Sequence, residues 1–100
     1  DMVRELEDHK AALAIDPENF QAHLNLAMYY LKSKNYEEAL KNLDLGIQYK
    51  PNAGFPHVTR GAIYEILGQK DKANADFRRA YDLGNRSEEL LDLLGREIED

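Results

Sequence analysis

Two stretches of the sequence, HLNLAMYY at residues 23–30 and HVTRGAIY at residues 57–64, begin with histidine, end with tyrosine and lie 34 residues apart. The same offset aligns Pro17 with Pro51, although identity between the two copies is otherwise low. Self-similarity at a fixed period of roughly 20 to 50 residues is typical of proteins built from repeated helical or strand units. We therefore predict a repeat architecture.

Residue size is conserved between the two copies more strongly than residue identity. The aligned pairs are Ala27 with Gly61, Ala39 with Ala73, Gly46 with Ala80, and Leu43 with Phe77. Small residues let helix backbones approach closely, and glycine inside a helix costs about 0.5–1 kcal/mol relative to alanine. The glycines therefore indicate a packing need, and these positions predict close pairing of helices within each copy.

Apolar residues recur at helical spacing in six segments, and no segment has the alternation of a strand. We predict helices over residues 2–15, 20–32, 36–49, 55–67, 70–83 and 88–99. Asn35 is expected to cap the third helix, with Glu38 completing a capping box, and Ser87 to cap the sixth. Short connections between the helices predict an all-α fold of antiparallel hairpins.

The chain resembles the tetratricopeptide repeat family. The stretch from His23 to Pro51 follows the family pattern W-x-x-L-G-x-x-Y…A…F…A…P, and the second copy follows it with Asn85 at the closing proline. Two departures are the histidines at the tryptophan position and Arg60 at a leucine position. The resemblance implies a tetratricopeptide-like α-α superhelix of stacked antiparallel hairpins, with about six helices.

The same resemblance implies a single domain over residues 1–100. Residues 1–17 would be the second helix of a partial preceding repeat, and residues 18–51 and 52–85 would be full repeats. Residues 86–100 would be a C-terminal capping helix or the start of a further repeat.

The last helix is expected to cover the second full repeat. Leu90, Leu91, Leu94 and Ile98 form the predicted covering stripe, and Leu93 lies outside that stripe. This is the design of a helix that closes a repeat array.

Composition limits the classes of partner. Nineteen Asp and Glu residues against 13 Lys and Arg residues give a net charge of -6, and Arg78-Arg79 is the only adjacent basic pair. We therefore expect no nucleic-acid partner. There is no apolar run long enough to predict membrane insertion, and the absence of cysteine excludes disulfides and thiolate metal sites. The compartment is left open, with the cytoplasm as the default.

Catalytic and metal-binding patterns are missing from the sequence. There is no glycine-rich phosphate loop and no nucleophile elbow. His23 and His57 occupy equivalent places on successive repeats, so co-ligation of one zinc ion would be strained, and packing histidines are the better interpretation. We predict no enzymatic activity, no cofactor and no metal.

The resemblance places a concave groove along the first helix of each hairpin. The predicted groove residues are Gln21, Leu24, Asn25, Met28 and Lys32 from the first full repeat, Phe55, Val58, Thr59, Ala62 and Glu65 from the second, and Glu89, Asp92 and Arg96 from the last helix. Apolar side chains with polar flanks suit an amphipathic helix or an extended peptide. Alternatively, the apolar members pack against each other or against a neighbouring helix.

Some family members bind the C-terminal carboxylates of heat-shock chaperones through a clamp of lysine, asparagine and arginine. Asn25 matches an asparagine position of that clamp, but Phe55 and Thr59 stand where lysine and arginine are required. We predict no clamp of this kind.

Two functions follow from the sequence. The first is a non-catalytic scaffold that binds a peptide or a partner helix, of unknown identity, in the groove. The second is a structural spacer or self-association segment of a longer repeat array, including a homodimer through exposed end helices. Glu5 occupies the small-residue position of the first hairpin, which indicates an open or terminal packing face.

Overall fold

The structure is a computed structural model that describes residues 2–99, with side chains described for residues 3–95. Over this range the chain is all α-helical outside its turns. The helices are α1 (Met2–Ile15), α2 (Phe20–Lys32), α3 (Tyr36–Tyr49), α4 (Phe55–Ile66), α5 (Lys70–Asp82) and α6 (Glu88–Glu99). The all-α prediction is confirmed, although α4 and α5 each end one residue earlier than predicted. None of the described helices is long and apolar enough to cross a membrane.

The helices form two compact units, Asp1–Pro51 and Asn52–Asp100. In the first, the N-terminal unit, α2 contacts both α1 and α3. In the second, the C-terminal unit, α5 contacts both α4 and α6. The division falls where the sequence predicts the boundary between full repeats. The prediction of one domain over residues 1–100 stays a prediction.

Each unit contains one hairpin, α2–α3 or α4–α5, and both hairpins turn in the same way. Lys34 and Gly68 adopt the left-handed backbone conformation, with φ of 60° and 78°. In both turns the next backbone N–H donates to the carbonyl of a tyrosine five residues earlier, at 2.8 Å. The left-handed residue reverses the chain and satisfies a carbonyl at the helix end.

Side-chain caps begin three of the helices. Asn35 accepts a hydrogen bond from the backbone N–H of Glu38 at 3.3 Å, and Ser87 accepts one at 3.2 Å in α6, so both predicted caps are confirmed. The capping box is not reciprocal, because the N–H of Asn35 already donates to Tyr30. Asn19 caps α2 at 3.0 Å, which the sequence interpretation missed.

The N-terminal unit buries the small and large residues of the repeat pattern. Ala39 and Leu43 on α3 are fully buried, and Leu26 and Ala27 on α2 are nearly so. Full burial of a leucine side chain contributes roughly 1.5–3 kcal/mol. These positions therefore hold α2 against α3, as the repeat pattern predicts.

The C-terminal unit is built around a cluster of Ala73, Phe77, Ala80 and Leu90, all at most 1% exposed. A Cβ placed on Gly61 would lie 2.6 Å from Phe77 Cε1 and 3.1 Å from the Ala73 carbonyl oxygen. Only glycine allows α4 to approach α5 this closely. The position where the family favours glycine is therefore used for packing in this unit.

The covering stripe of α6 differs from the predicted one. Leu90, Leu93 and Leu94 contact the cluster, whereas Leu91 is 45% exposed. These three residues have the i, i+3, i+4 spacing of a single helix face, so Leu93 takes the inward place predicted for Leu91. Ile98, the fourth predicted member, lies outside the residues with described side chains.

Candidate interaction surfaces and buried polar layer

One side of α2 carries four of the predicted groove residues. We call Gln21, Asn25, Met28 and Lys32 the α2 face, since their spacing of four, three and four residues places them on one side of the helix. Gln21 and Lys32 are exposed, and Asn25 and Met28 are half-buried. The amide of Gln21 donates to Asn25 Oδ1 at 3.2 Å. Lys32 Nζ lies 3.7 Å from Glu5 Oε1 on α1, so this face is mainly polar.

Leu24 was expected on the same surface, but it is only 6% exposed. A Cβ on Gly46 of α3 would lie 3.7 Å from Leu24 Cδ2, so Leu24 packs towards α3. Leu24 thus belongs to the hairpin core of the N-terminal unit. For this residue the packing alternative is the better description.

One side of α4 exposes apolar groups. We call Phe55, Ala62 and Ile66 the α4 stripe. Phe55 is 52% exposed, Ile66 is 58% exposed and Ala62 is half-buried. Glu65 is exposed beside Ile66. The sequence interpretation missed Ile66, although alignment with Lys32, 34 residues earlier, could have identified it.

Val58 and Thr59, also predicted for the groove, are largely used inside the C-terminal unit. Val58 is half-buried and packs against the core cluster. Thr59 is 8% exposed, and its hydroxyl donates to the Phe55 carbonyl at 3.2 Å. A threonine hydroxyl bonded to the carbonyl four residues earlier satisfies itself within the helix. Neither residue offers a free polar group to a partner.

The last helix contributes acidic groups. Glu88, Glu89 and Asp92 are exposed on α6. The two glutamates lie in its first turn, where negative charge interacts favourably with the helix dipole. Arg96, the remaining predicted groove residue, lies outside the residues with described side chains.

A buried polar group joins α2 to α3 in the N-terminal unit. His23 is 6% exposed, and its ring nitrogens lie 3.1 Å from Asn42 Oδ1 and 2.9 Å from the Pro17 carbonyl oxygen. Asn42 in turn donates to the Glu38 carbonyl at 3.0 Å. The tryptophan position of the family pattern is therefore occupied by a histidine that ties the helices together and also holds the α1–α2 turn.

The equivalent group in the C-terminal unit is charged. Asp76 is 5% exposed and accepts from Arg60 Nε at 2.8 Å and from Arg60 Nη2 at 2.7 Å. His57 Nδ1 lies 3.2 Å from Asp76 Oδ1 and donates to it, because a carboxylate only accepts. The unusual Arg60 is thus explained by a two-pronged bond to Asp76 within the unit.

His57 Nε2 is buried and has no hydrogen-bond partner among the described residues. An unsatisfied buried polar atom costs about 1–3 kcal/mol. Within residues 3–95, no group of three His, Asp or Glu side chains lies close enough together to hold a metal ion. Each histidine lies within hydrogen-bonding distance of a side chain on the facing helix, His23 of Asn42 and His57 of Asp76.

The comparisons with known proteins agree with this geometry. The family model described as tetratricopeptide repeat matches residues 2–81. The chain therefore belongs to the tetratricopeptide repeat family, which is in general a protein-interaction fold. No curated protein matches the sequence significantly.

Solved structures of similar fold include the second tetratricopeptide repeat domain of Spaghetti (RPAP3) bound to the HSP90 peptide SRMEEVD. This domain is 30% identical with a TM-score of 0.76, and the match covers 82% of this chain and 76% of that one. A crystal structure of MamA matches at 22% identity and TM-score 0.76, over 78% of this chain and 46% of that one. Another, MamA MSR-1 C2, matches at 20% identity and TM-score 0.69, over 82% and 52%. The chain spans about half the length of both MamA chains, which establish the fold alone.

Proposed function

We propose that this chain is a non-catalytic interaction module that binds peptides or partner helices at two surfaces, the α2 face of the N-terminal unit and the α4 stripe of the C-terminal unit. The observation that carries the proposal is the exposure of Phe55 and Ile66 on a helix whose opposite side is packed in the core. Exposed apolar groups that recur on one helix face are typical of interaction surfaces. The α2 face supplies the amide groups of Gln21 and Asn25 and the amino group of Lys32, which can bond to a peptide backbone or to acidic side chains.

The Spaghetti (RPAP3) domain supports the peptide-binding part of the proposal. It is 30% identical to this chain and is bound to an HSP90 peptide. The absence of a chaperone carboxylate clamp stays a prediction, since Phe55 and Thr59 occupy the positions where lysine and arginine would be needed. We therefore propose peptide binding without proposing the same peptide.

The proposal is tested by selecting binders from a random peptide library on the immobilised chain and measuring their affinities by calorimetry. The substitutions Met28→Glu and Phe55→Glu place charge on each surface without changing a buried residue. We expect each to weaken the peptides that bind its own surface about ten-fold or more, equivalent to about 1.4 kcal/mol. Leu24→Glu is unsuitable, because Leu24 belongs to the hairpin core.

Ile15→Glu is the matched control, because Ile15 is 88% exposed but lies on α1. Circular dichroism must show the same helicity for all variants. If selected peptides bind both surface variants as tightly as the parent chain, the proposed surfaces are wrong. Turnover of a substrate by the chain alone would contradict the non-catalytic part.

The second candidate function is self-association through α1. Val3 is 66% exposed and Ile15 is 88% exposed, which favours this alternative. Two polar residues of α1 argue against it. Glu5 and His9 occupy the positions that align with buried aliphatic residues of α3, and His9 Nε2 lies 3.8 Å from Glu5 Oε1. A sedimentation series over a wide concentration range separates the two functions, since a dimer abolished by Val3→Glu with Ile15→Glu would support self-association.

A further inference from the structure

The α4 stripe runs nearly the full length of its helix. Phe55 and Ile66 are 11 residues apart, so the stripe extends about 17 Å at a rise of about 1.5 Å per residue. Leu67, directly after it, is 43% exposed. This length accommodates about three turns of a partner helix with apolar side chains on one side.

Basic groups are scarce around the stripe. Arg60 is the only lysine or arginine on α4, and both Nε and Nη2 donate to Asp76. On α5, Lys72 Nζ lies over the Tyr64 ring, 5.5 Å from its centroid. Tyr64 is nine residues from Phe55, or two and a half helical turns, so it lies on the opposite side of α4.

The C-terminal unit exposes acidic groups on both α4 and α6. Glu65 is exposed on α4 itself, and Glu89 and Asp92 are exposed on α6. Both helices pack on the same core cluster, which contains Leu90 of α6 and against which Val58 of α4 packs. An acidic peptide would meet repulsion here, whereas lysine or arginine beside its apolar groups would be attracted.

We propose that the α4 stripe binds a basic amphipathic helical segment of a partner protein, with the apolar side on Phe55, Ala62 and Ile66 and basic residues towards α6. The inference rests on the proposed function and adds the chemical class of the partner. It distinguishes this surface from one that selects a negatively charged peptide.

The test uses three synthetic peptides of equal length and fluorescence anisotropy. The first has leucines on one helical side and lysines elsewhere, the second has glutamates in place of the lysines, and the third is a scrambled version of the first. We expect the first to bind about ten-fold tighter than either of the others in low salt. The preference over the glutamate peptide should shrink in high salt, as charge steering requires.

Substitutions test whether the lysine peptide binds at the α4 stripe. Phe55→Ser with Ile66→Ser should reduce affinity for the lysine peptide about ten-fold, while Ile15→Ser should leave it unchanged. Glu89→Gln with Asp92→Asn should reduce the preference for lysine over glutamate to a few-fold without unfolding α6, which circular dichroism checks.

Three results would overturn the inference: equal or tighter binding of the glutamate peptide, equal binding of the scrambled peptide, or no effect of the stripe variant. If the glutamate peptide binds and its binding is lost in the Phe55 and Ile66 variant, only the proposed charge preference is wrong, and the proposed function is unaffected. If neither these peptides nor any from the random library bind, both the inference and the proposed function are wrong.

Discussion

The N-terminal and C-terminal units use the same hairpin framework but connect their helices with different chemistry. The layer in the first unit contains no carboxylate or arginine, with His23 facing Asn42 beside a buried Leu26. At the equivalent positions, 34 residues later, the second unit has a histidine, Asp76 and Arg60 in a charged group. Where the first unit has a leucine and an asparagine, the second has an arginine and an aspartate that bond to each other.

The outer faces of α2 and α4, the first helices of the two hairpins, also differ at aligned positions. Gln21 corresponds to Phe55, and Lys32 corresponds to Ile66. The polar α2 face and the apolar α4 stripe thus occupy equivalent helix positions. The framework sets where side chains point, and the outer residues determine what each unit can bind.

The largest expected effect comes from breaking the charged layer. Asp76→Ala removes the carboxylate from Arg60, which is only partly exposed, and from His57. We expect a loss of about 3–5 kcal/mol in the free energy of unfolding, as for other broken buried ion pairs. The matched Asn42→Ala should cost only about 1–3 kcal/mol, because it removes an uncharged amide and leaves no arginine without its carboxylate.

Urea unfolding followed by circular dichroism measures both changes. Equal losses for Asp76→Ala and Asn42→Ala would contradict the difference between the two layers.

Glycine substitutions test how closely the paired helices approach each other in the two units. Gly61→Ala should destabilise the chain by about 1–3 kcal/mol through overpacking, because the new Cβ would lie 2.6 Å from Phe77 Cε1. Gly46→Ala should stabilise it by about 0.5–1 kcal/mol, because the nearest contact would be an ordinary 3.7 Å to Leu24. Thermal unfolding of the two variants should therefore show melting temperatures shifted in opposite directions, and a common direction would refute the packing assignment.

Introducing the leucine and asparagine of the N-terminal unit into the C-terminal unit should have a smaller effect. The double change Arg60→Leu with Asp76→Asn reproduces the N-terminal residues in the C-terminal unit. Replacing a buried ion pair by apolar and neutral groups is often close to neutral, so we expect a net change within about 1 kcal/mol. Arg60→Leu alone should be clearly worse than the double variant, since Asp76 would keep only its histidine. A denaturant series on the two variants measures this coupling, and simple additivity would contradict it.

The smallest effect concerns the exposed pair between Glu5 and Lys32. Glu5→Gln should cost about 0.2–1 kcal/mol in low salt and less in high salt, because surface ion pairs are weak and screened. Glu7→Gln, on the exposed side of α1, is the control. Unfolding curves at two salt concentrations check this, and a salt-independent loss would show that Glu5 acts through packing instead.

The helix bounds were predictable because turn residues and caps punctuate the sequence strongly. Asn35 and Ser87 mark helix starts by side-chain chemistry that acts within three residues. The partner of Arg60 was not predictable in the same way, since Asp76 is 16 residues away and meets it only when α4 packs on α5.

The candidate surfaces were predicted less well, because exposure depends on helix rotation in the packed unit. Leu24 and Leu91 have the right spacing for the roles predicted from sequence, yet Leu24 turns inward and Leu91 turns outward. Ile66 was not predicted as a surface residue, even though the repeat alignment pairs it with Lys32. Rotation by a fraction of a turn decides each case, and local sequence does not specify it.

The most direct test is to record backbone amide NMR spectra while adding the lysine amphipathic peptide. Binding at the α4 stripe predicts the largest shift changes at Phe55, Ala62 and Ile66 on α4, with little change on α3 or the outer side of α5. Shift changes concentrated on α1, α3 or α5, or no changes for any bound peptide, would contradict the assignment of the α4 stripe as the interaction surface.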